Sequence, residues 1–204
     1  MNVVFEGNSR LTGMVRPWNA ANAKIIFRNG DISIGGNFGN GGAKSGTEII
    51  ISNATVTVQG QATGSWGPGT FPVKLQNGPD RQARIVHTES HGFDFVQSPY
   101  TLAIPEQAYA TPYLQAVLPL KAIEGSPTFN IDVTNWKRGK RVPILTFTSS
   151  ASGAATQYGG ATVKAYENGV DVTTKRNARL VWDADTRTLY YKQDAQGGFA
   201  LIVK

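Results

Sequence analysis

The sequence predicts an all-β protein whose first third folds as the stacked coils of a right-handed parallel β-helix. Short segments rich in β-branched and aromatic residues recur along the chain, each bounded by Gly, Asn, Asp or Pro. Helical periodicity is almost absent, because three prolines interrupt the one candidate helix, Pro105–Leu120. A unit containing two short strands repeats near the N-terminus, which is typical of a solenoid.

The strand signal is carried by segments of four to seven residues. In chain order they are Ala23–Arg28, Thr47–Ser52, Thr55–Val58, Phe71–Leu75, Arg84–His87, Phe129–Val133, Val142–Thr148, Ala161–Ala165, Arg179–Trp182, Leu189–Lys192 and Phe199–Val203.

The repeat is the more specific signal. Lys24–Ile34 aligns without gaps on Glu48–Val58, 24 residues later, and Val3–Asn8 matches the start of the same unit. Each unit is an apolar triplet, a polar residue, a small corner that contains Asn, and a second strand. Two short strands in roughly 20–24 residues are what one coil of a solenoid needs. The alternative, a β-sandwich with two similar hairpins, requires the repeat to be coincidental.

One corner of the predicted coil carries Asn8, Asn29 and Asn53. Stacked amides can hydrogen-bond along such a column, and Asn tolerates the left-handed backbone of a tight corner. Neighbouring coils of a solenoid run parallel, so Ile25–Phe27 should pair in parallel with Ile49–Ile51. The side chains expected in the inward stack are those of Val3, Phe5, Ile25, Phe27, Ile49, Ile51 and Val56.

The pattern divides the chain into two parts. We expect β-helix coils with glycine-rich loop insertions in residues 1–124 and a strand-rich C-terminal cap in residues 125–204. The cap is expected to end in a hairpin that pairs 189–191 with 199–203. A cap of this kind covers the open end of the stack, where unpaired backbone would favour aggregation.

Composition indicates a folded chain that is not embedded in a membrane. Of the 204 residues, 40% are hydrophobic and 17% are charged, and no apolar run approaches the roughly 18 residues of a membrane helix. The absence of Cys excludes disulfides, thiolate metal sites and cysteine nucleophiles. Because the N-terminus enters an apolar strand at once, without the features of a signal peptide, we expect a fragment of a longer protein.

A net charge of +6 raises the question of an anionic partner. The densest basic run, 137–141, is either a phosphate or anionic-glycan contact or a solvated hairpin tip between strands at 128–133 and 142–148. Nucleic-acid footprints usually spread basic residues over a face, and no RNA- or DNA-binding motif accompanies this run. We therefore expect no nucleic-acid partner.

Three ordered segments carry a resemblance to a known family: Thr128–Val133, Gly139–Phe147 and Ala178–Tyr191. Together they resemble the C-terminal end of the passenger region of bacterial autotransporter-like, adhesin-type β-helix surface proteins. The resemblance implies a surface or secreted repeat protein, located outside the bacterial cell or on its surface. It also implies host or environmental glycans, or surface proteins, as partners. It supplies no catalytic residues and no cofactor.

The candidate catalytic residues are His87, Glu89 and His91, which share one face if they lie on a strand. Two His and a Glu on one face could bind a metal or perform acid–base chemistry on a glycan. The alternative is an exposed, solvated strand or loop. No complete metal motif is present, and no second acidic cluster is near to supply the carboxylate pair that a glycosidase needs.

The candidate ligand-binding residues are Trp18 and Trp66, which lie in turn-rich stretches beside Pro or Gly. An exposed Trp in such a place can stack on a sugar ring, although a packing role is equally common. The sequence thus predicts a non-enzymatic surface or secreted structural, adhesin-like β-helix protein. The alternative is a carbohydrate-active or carbohydrate-binding β-helix module, such as a polysaccharide lyase or hydrolase or a phage tailspike-like receptor binder.

Overall fold

The computed structural model describes residues 2–13, 15, 21–36, 38, 46–59, 71–88, 99–117, 127–136, 141–149 and 161–194. All regular secondary structure in these ranges is β, as the sequence predicts. The strands are β1 Asn2–Glu6, β2 Ser9–Leu11, β3 Lys24–Ile34, β4 Glu48–Val58, β5 Val73–Gln76, β6 Arg84–His87, β7 Tyr100–Ala103, β8 Leu114–Ala116, β9 Thr128–Asp132, β10 Val142–Phe147, β11 Thr162–Glu167, β12 Val170–Asp171, β13 Arg179–Asp183 and β14 Thr188–Lys192. No helix in the described ranges is long and apolar enough to cross a membrane.

The strands belong to one mixed sheet, which contains two columns of parallel strands. The first column runs through β1, the first halves of β3 and β4, and then β5, β7, β9 and β11. The second column runs through β2, the second halves of β3 and β4, and then β6, β8 and β10. Because β3 and β4 belong to both columns, the sheet bends where the columns meet.

The register confirms the parallel pairing that the repeat predicts. Ile25 lies opposite Ile49 and Phe27 lies opposite Ile51. The same register continues into the next strand of the column, where Val73 lies opposite Ile49. Equivalent apolar positions of successive strands therefore stack directly on each other.

The buried side chains of both columns form one apolar cluster. Of the seven residues expected in the inward stack, the five on β3 and β4 are buried, and the two on β1 are partly buried. Aromatic rings stack between register partners in the first column, with centroids 5.2 Å apart for Phe5 and Phe27 and 5.4 Å apart for Tyr100 and Phe129. Stacked aromatic pairs of this spacing add to the stabilisation from burial alone.

The corner between the columns is formed by left-handed residues. Asn29 has a φ of 58° and Asn53 has a φ of 51°, as predicted for Asn at this position. In the first coil the left-handed residue is Gly7, with a φ of 71°, because Glu6 pairs with Arg28. Asn8 lies next to it at the same corner and accepts a hydrogen bond through Oδ1 from the Asp31 N–H of β3 at 2.9 Å.

Antiparallel strands follow the parallel columns at the C-terminal end. β12 pairs with β11, and β14 pairs on one side with β10 and on the other with β13. Both edges of β14 are thus paired with described strands. Residues 199–203, the predicted hairpin partner of 189–191, lie outside the described ranges. Parallel pairing continues beyond residue 125 through β9, β10 and β11, and the division of the chain at 124 stays a prediction.

Candidate functional site

The structure places only one of the predicted site residues. His87 ends β6 opposite Val58 and is 1% exposed, so it faces the core instead of a solvated surface. Glu89, His91, Trp18 and Trp66 lie outside the described residues, and their proposed roles stay predictions. Within the described ranges, no group of three or more His, Asp or Glu residues is arranged to hold a metal ion.

The basic run at 137–141 is described only at its last residue. Arg141 forms an ion pair with Asp183 at 2.8 Å and lies 3.9 Å above the ring centroid of Tyr190. The hairpin predicted around this run is wrong, because β9 pairs with β7 and β11 whereas β10 pairs with β8 and β14. Arg141 thus joins β10 to the β13–β14 hairpin.

The strongest candidate site is a groove on the first column, where β5, β7 and β9 lie side by side and present both polar and apolar groups. Lys74 lies opposite Thr101, and Ala103 lies opposite Asp132. The Ala103 methyl group is much shorter than the side chains near it, Gln76 and Asp132, and leaves a depression between them. The depression opens into a cavity of about 400 Å³.

Residues just beyond the strand ends complete the groove. Asn77 and Gly78 follow β5, Pro105 follows β7, and Asn135 follows β9, and all four line the cavity. In parallel strands the carboxyl ends lie at the same edge, so these segments come together although they are far apart in sequence.

The edge of the groove is held by a partly buried hydrogen-bond network centred on Asn77. Its amide nitrogen donates to the Ala103 carbonyl at 2.9 Å and to the Tyr113 hydroxyl at 3.1 Å, and its side-chain oxygen accepts from the Ala83 N–H at 2.9 Å. The Tyr113 hydroxyl donates to the same Ala103 carbonyl at 3.1 Å. Burial raises the pKa of Tyr113 to about 12, so this hydroxyl keeps its proton at neutral pH.

The charged side chains at the groove form ion pairs or hydrogen bonds with other groups of the protein. The Lys74 ammonium lies 2.6 Å from one carboxylate oxygen of Glu48, whose other oxygen lies 2.7 Å from Lys24. Hydrogen bonds from Lys24 and Lys74 lower the pKa of Glu48, so it is ionised at neutral pH. Asp132 accepts through Oδ1 from the backbone N–H of Thr134 at 2.9 Å and from its hydroxyl at 2.5 Å.

Four polar groups of the groove are not engaged by the rest of the described chain. The side chains of Gln76, Thr101 and Asn135 are exposed and form no hydrogen bond with described residues, and neither does Oδ2 of Asp132. Among the described residues that line the groove, Asp132 is the single carboxylate. The arrangement offers donors and acceptors for binding but not the pair of carboxylates used in glycoside hydrolysis.

No family model, curated protein or solved structure matches the chain.

The sequence did not predict this groove. The strands that carry Lys74 and Asp132 were predicted, but Tyr100–Ala103 was not, because nearby prolines obscure its short alternating pattern. Only the register of β7 between β5 and β9 shows that Thr101 and Ala103 share a surface with the other groove residues.

Proposed function

We propose that the two columns are two faces of a right-handed parallel β-helix. The support is the order of pairing, since from β1 to β10 the chain passes alternately through the two columns and returns one position further along each time. Parallel strands of one sheet are joined by right-handed crossovers in about 98% of cases, which favours the right-handed form.

We infer that this β-helix belongs to a non-enzymatic surface or secreted structural protein of the adhesin-like class. The observation that carries the proposal is the continuous in-register stack, which builds a rigid scaffold with an outward surface available for contacts. The segments that resemble autotransporter-like passengers coincide with β9, β10 and the β13–β14 hairpin. Their strand structure is compatible with the resemblance.

The proposal is tested by measuring binding and cleavage in the same samples. The chain is incubated with neutral and acidic polysaccharides and with extracellular-matrix proteins, and both retained material and newly formed reducing ends are measured. We expect retention on at least one surface without new ends or unsaturated products. Heat-unfolded chain serves as the control for non-specific adhesion.

Depolymerisation of a polysaccharide by the chain would contradict the non-enzymatic proposal. Variants of the candidate catalytic residues would then show whether these residues are responsible. Glu89→Gln and His91→Ala are the appropriate variants, because truncation of the buried His87 would also disturb the core. A loss of about 100-fold or more, as expected for removal of a general acid or base, would assign an enzyme to this region.

A second candidate function is a carbohydrate-binding β-helix module, which the groove over β5, β7 and β9 favours. Trp18 and Trp66 are the aromatic residues predicted for the same role. If either Trp is a sugar platform, its substitution by Ala should weaken glycan binding by about 1 kcal/mol, as expected for one aromatic contact, and leave the melting temperature unchanged. Full retention of glycan binding in both variants would exclude Trp18 and Trp66 as sugar-binding residues.

A further inference from the structure

We propose that the groove over β5, β7 and β9 binds a neutral, hydroxyl-rich ring, that is, an uncharged saccharide. This inference rests on the proposed function in that it takes the outer face of the stack to be a binding surface. It assigns that role to Gln76, Thr101, Asp132 and Asn135.

The size of the groove suits such a ligand. Its volume of about 400 Å³ lies within the range of small-molecule sites, about 300–1,000 Å³. Ala103 and Pro105 contribute apolar contact surface, and the polar side chains stand around them. A saccharide ring has the matching character, with C–H groups on its faces and hydroxyl groups around its edge.

The polar groups match hydroxyl groups in particular. The amides of Gln76 and Asn135 each donate and accept, the Thr101 hydroxyl does both, and Oδ2 of Asp132 accepts. A sugar hydroxyl also donates and accepts, so it can bridge neighbouring groups of this set. Because these side chains form no hydrogen bond with other described residues, a ligand need not displace an internal partner.

The backbone that carries these groups is ordered by internal hydrogen bonds and needs no ligand to order it. Asn77, at the end of β5, donates a hydrogen bond to the Ala103 carbonyl at the end of β7, and the Tyr113 hydroxyl donates to the same carbonyl. Binding on a surface that is already ordered loses less conformational entropy than binding on a mobile loop.

The charge pattern selects a neutral ligand. An anionic sugar would have to compete with Glu48 for Lys74 and would approach the carboxylate of Asp132, which forms no ion pair with a described residue. A cationic ligand would meet the Lys74 ammonium. The charges of Lys24, Glu48, Lys74 and Asp132 sum to zero, in contrast to the +6 of the whole chain. Overall charge alone would favour acidic polysaccharides.

The test uses the full chain and calorimetry with neutral hexose oligosaccharides, uronate oligosaccharides and sulfated oligosaccharides. We expect measurable binding of at least one neutral oligosaccharide that survives 0.5 M NaCl. Gln76→Ala and Asp132→Asn should each weaken it several-fold, and Ala103→Leu, which fills the depression, should weaken it tenfold or more. Gln59→Ala, an exposed glutamine just after β4, is the matched control and should bind like the parent.

Circular dichroism and melting temperature must first show that each variant is folded. Loss of binding in folded Ala103→Leu together with retention in Gln59→Ala supports the groove. Unchanged binding in all three groove variants would overturn the assignment, and so would salt-sensitive binding confined to acidic oligosaccharides. If no saccharide binds, the groove proposal is wrong, whereas retention on extracellular-matrix proteins would still support the surface-protein proposal.

Discussion

Asn53 donates a hydrogen bond from its side-chain amide to the side-chain oxygen of Asn29 on the neighbouring strand, at 3.1 Å. Asn29 in turn donates to a carboxylate oxygen of Glu6 at 3.1 Å. One line of side chains therefore connects three successive parallel strands at the corner between the two columns. Because both Asn residues also have left-handed backbones, each combines a conformational and a hydrogen-bonding role.

These two roles can be separated at Asn53. Asn53→Gly keeps the positive φ without steric strain, loses the hydrogen bond and adds conformational entropy to the unfolded chain, whereas Asn53→Ala loses the bond and strains the backbone. We expect Asn53→Ala to be less stable than Asn53→Gly by about 1 kcal/mol. Urea denaturation of the three proteins measures the difference, and equal stability of the two variants would show that the left-handed conformation is not retained in solution.

Close approach of neighbouring backbones makes Gly30 difficult to replace. A Cβ at this position would lie 2.4 Å from the carbonyl carbon and 2.5 Å from the carbonyl oxygen of Gly7. We expect Gly30→Ala to lower the free energy of unfolding by about 1–3 kcal/mol, as overpacking commonly does. Gly13→Ala is the matched control, since no atom lies within 4 Å of its Cβ position. Similar denaturation midpoints for the two variants would contradict the close approach of Gly7, between β1 and β2, to β3.

The Lys24–Glu48–Lys74 ladder should make stability depend on pH. Because the folded-state pKa of Glu48 lies below its ordinary value of 4.5, the ladder stabilises the fold above that pH and loses its effect as the pH falls through the folded-state value. At pH 7, Glu48→Gln should be less stable than the parent by on the order of 1 kcal/mol.

The difference between parent and Glu48→Gln should shrink steadily below pH 4.5. Thermal melts between pH 3 and pH 7 measure it, with Glu106→Gln, an exposed glutamate without an ion pair to a described residue, as the control. A difference that does not change with pH would mean that the ladder does not form in solution.

Arg176 is 5% exposed and lies 2.5 Å from Glu167, which is 26% exposed. Glu167→Gln should leave a buried guanidinium without its counterion and destabilise the fold by about 2–3 kcal/mol. Adding Arg176→Met should recover part of that loss, because the double variant no longer buries a charge. Chemical denaturation of the single and double variants gives the coupling energy. Additive effects of the two substitutions would exclude the pair as an important contact.

The outer edge of β10 is covered by β14, whose Tyr191 lies opposite Val142. Removal of residues 188–204 should expose this edge and cause concentration-dependent association relative to the full chain. Light scattering over a range of concentrations measures the association, and removal of 195–204 alone, which leaves β14 in place, is the control. A shortened chain with the size and melting temperature of the parent would contradict the capping role of β14.

The sequence by itself determined the all-β class and the parallel stacking of β3 on β4, because these two strands repeat the same residue types in the same order. It also indicated the left-handed corner at Asn29 and Asn53, since few residue types adopt that conformation. These features depend on local patterns of about ten residues, which remain visible without knowledge of the fold.

Tertiary structure decided the rest, because the spacing between stacked positions changes along the chain. Register partners are 24 residues apart at Ile25 and Ile49 but 34 apart at Phe129 and Val163, so no fixed repeat marks the later strands. The same long-range register turned His87 toward the core. It also brought Lys74, Thr101 and Asp132 to one surface, a juxtaposition that arises only when three separate strands stack, since no local pattern connects them.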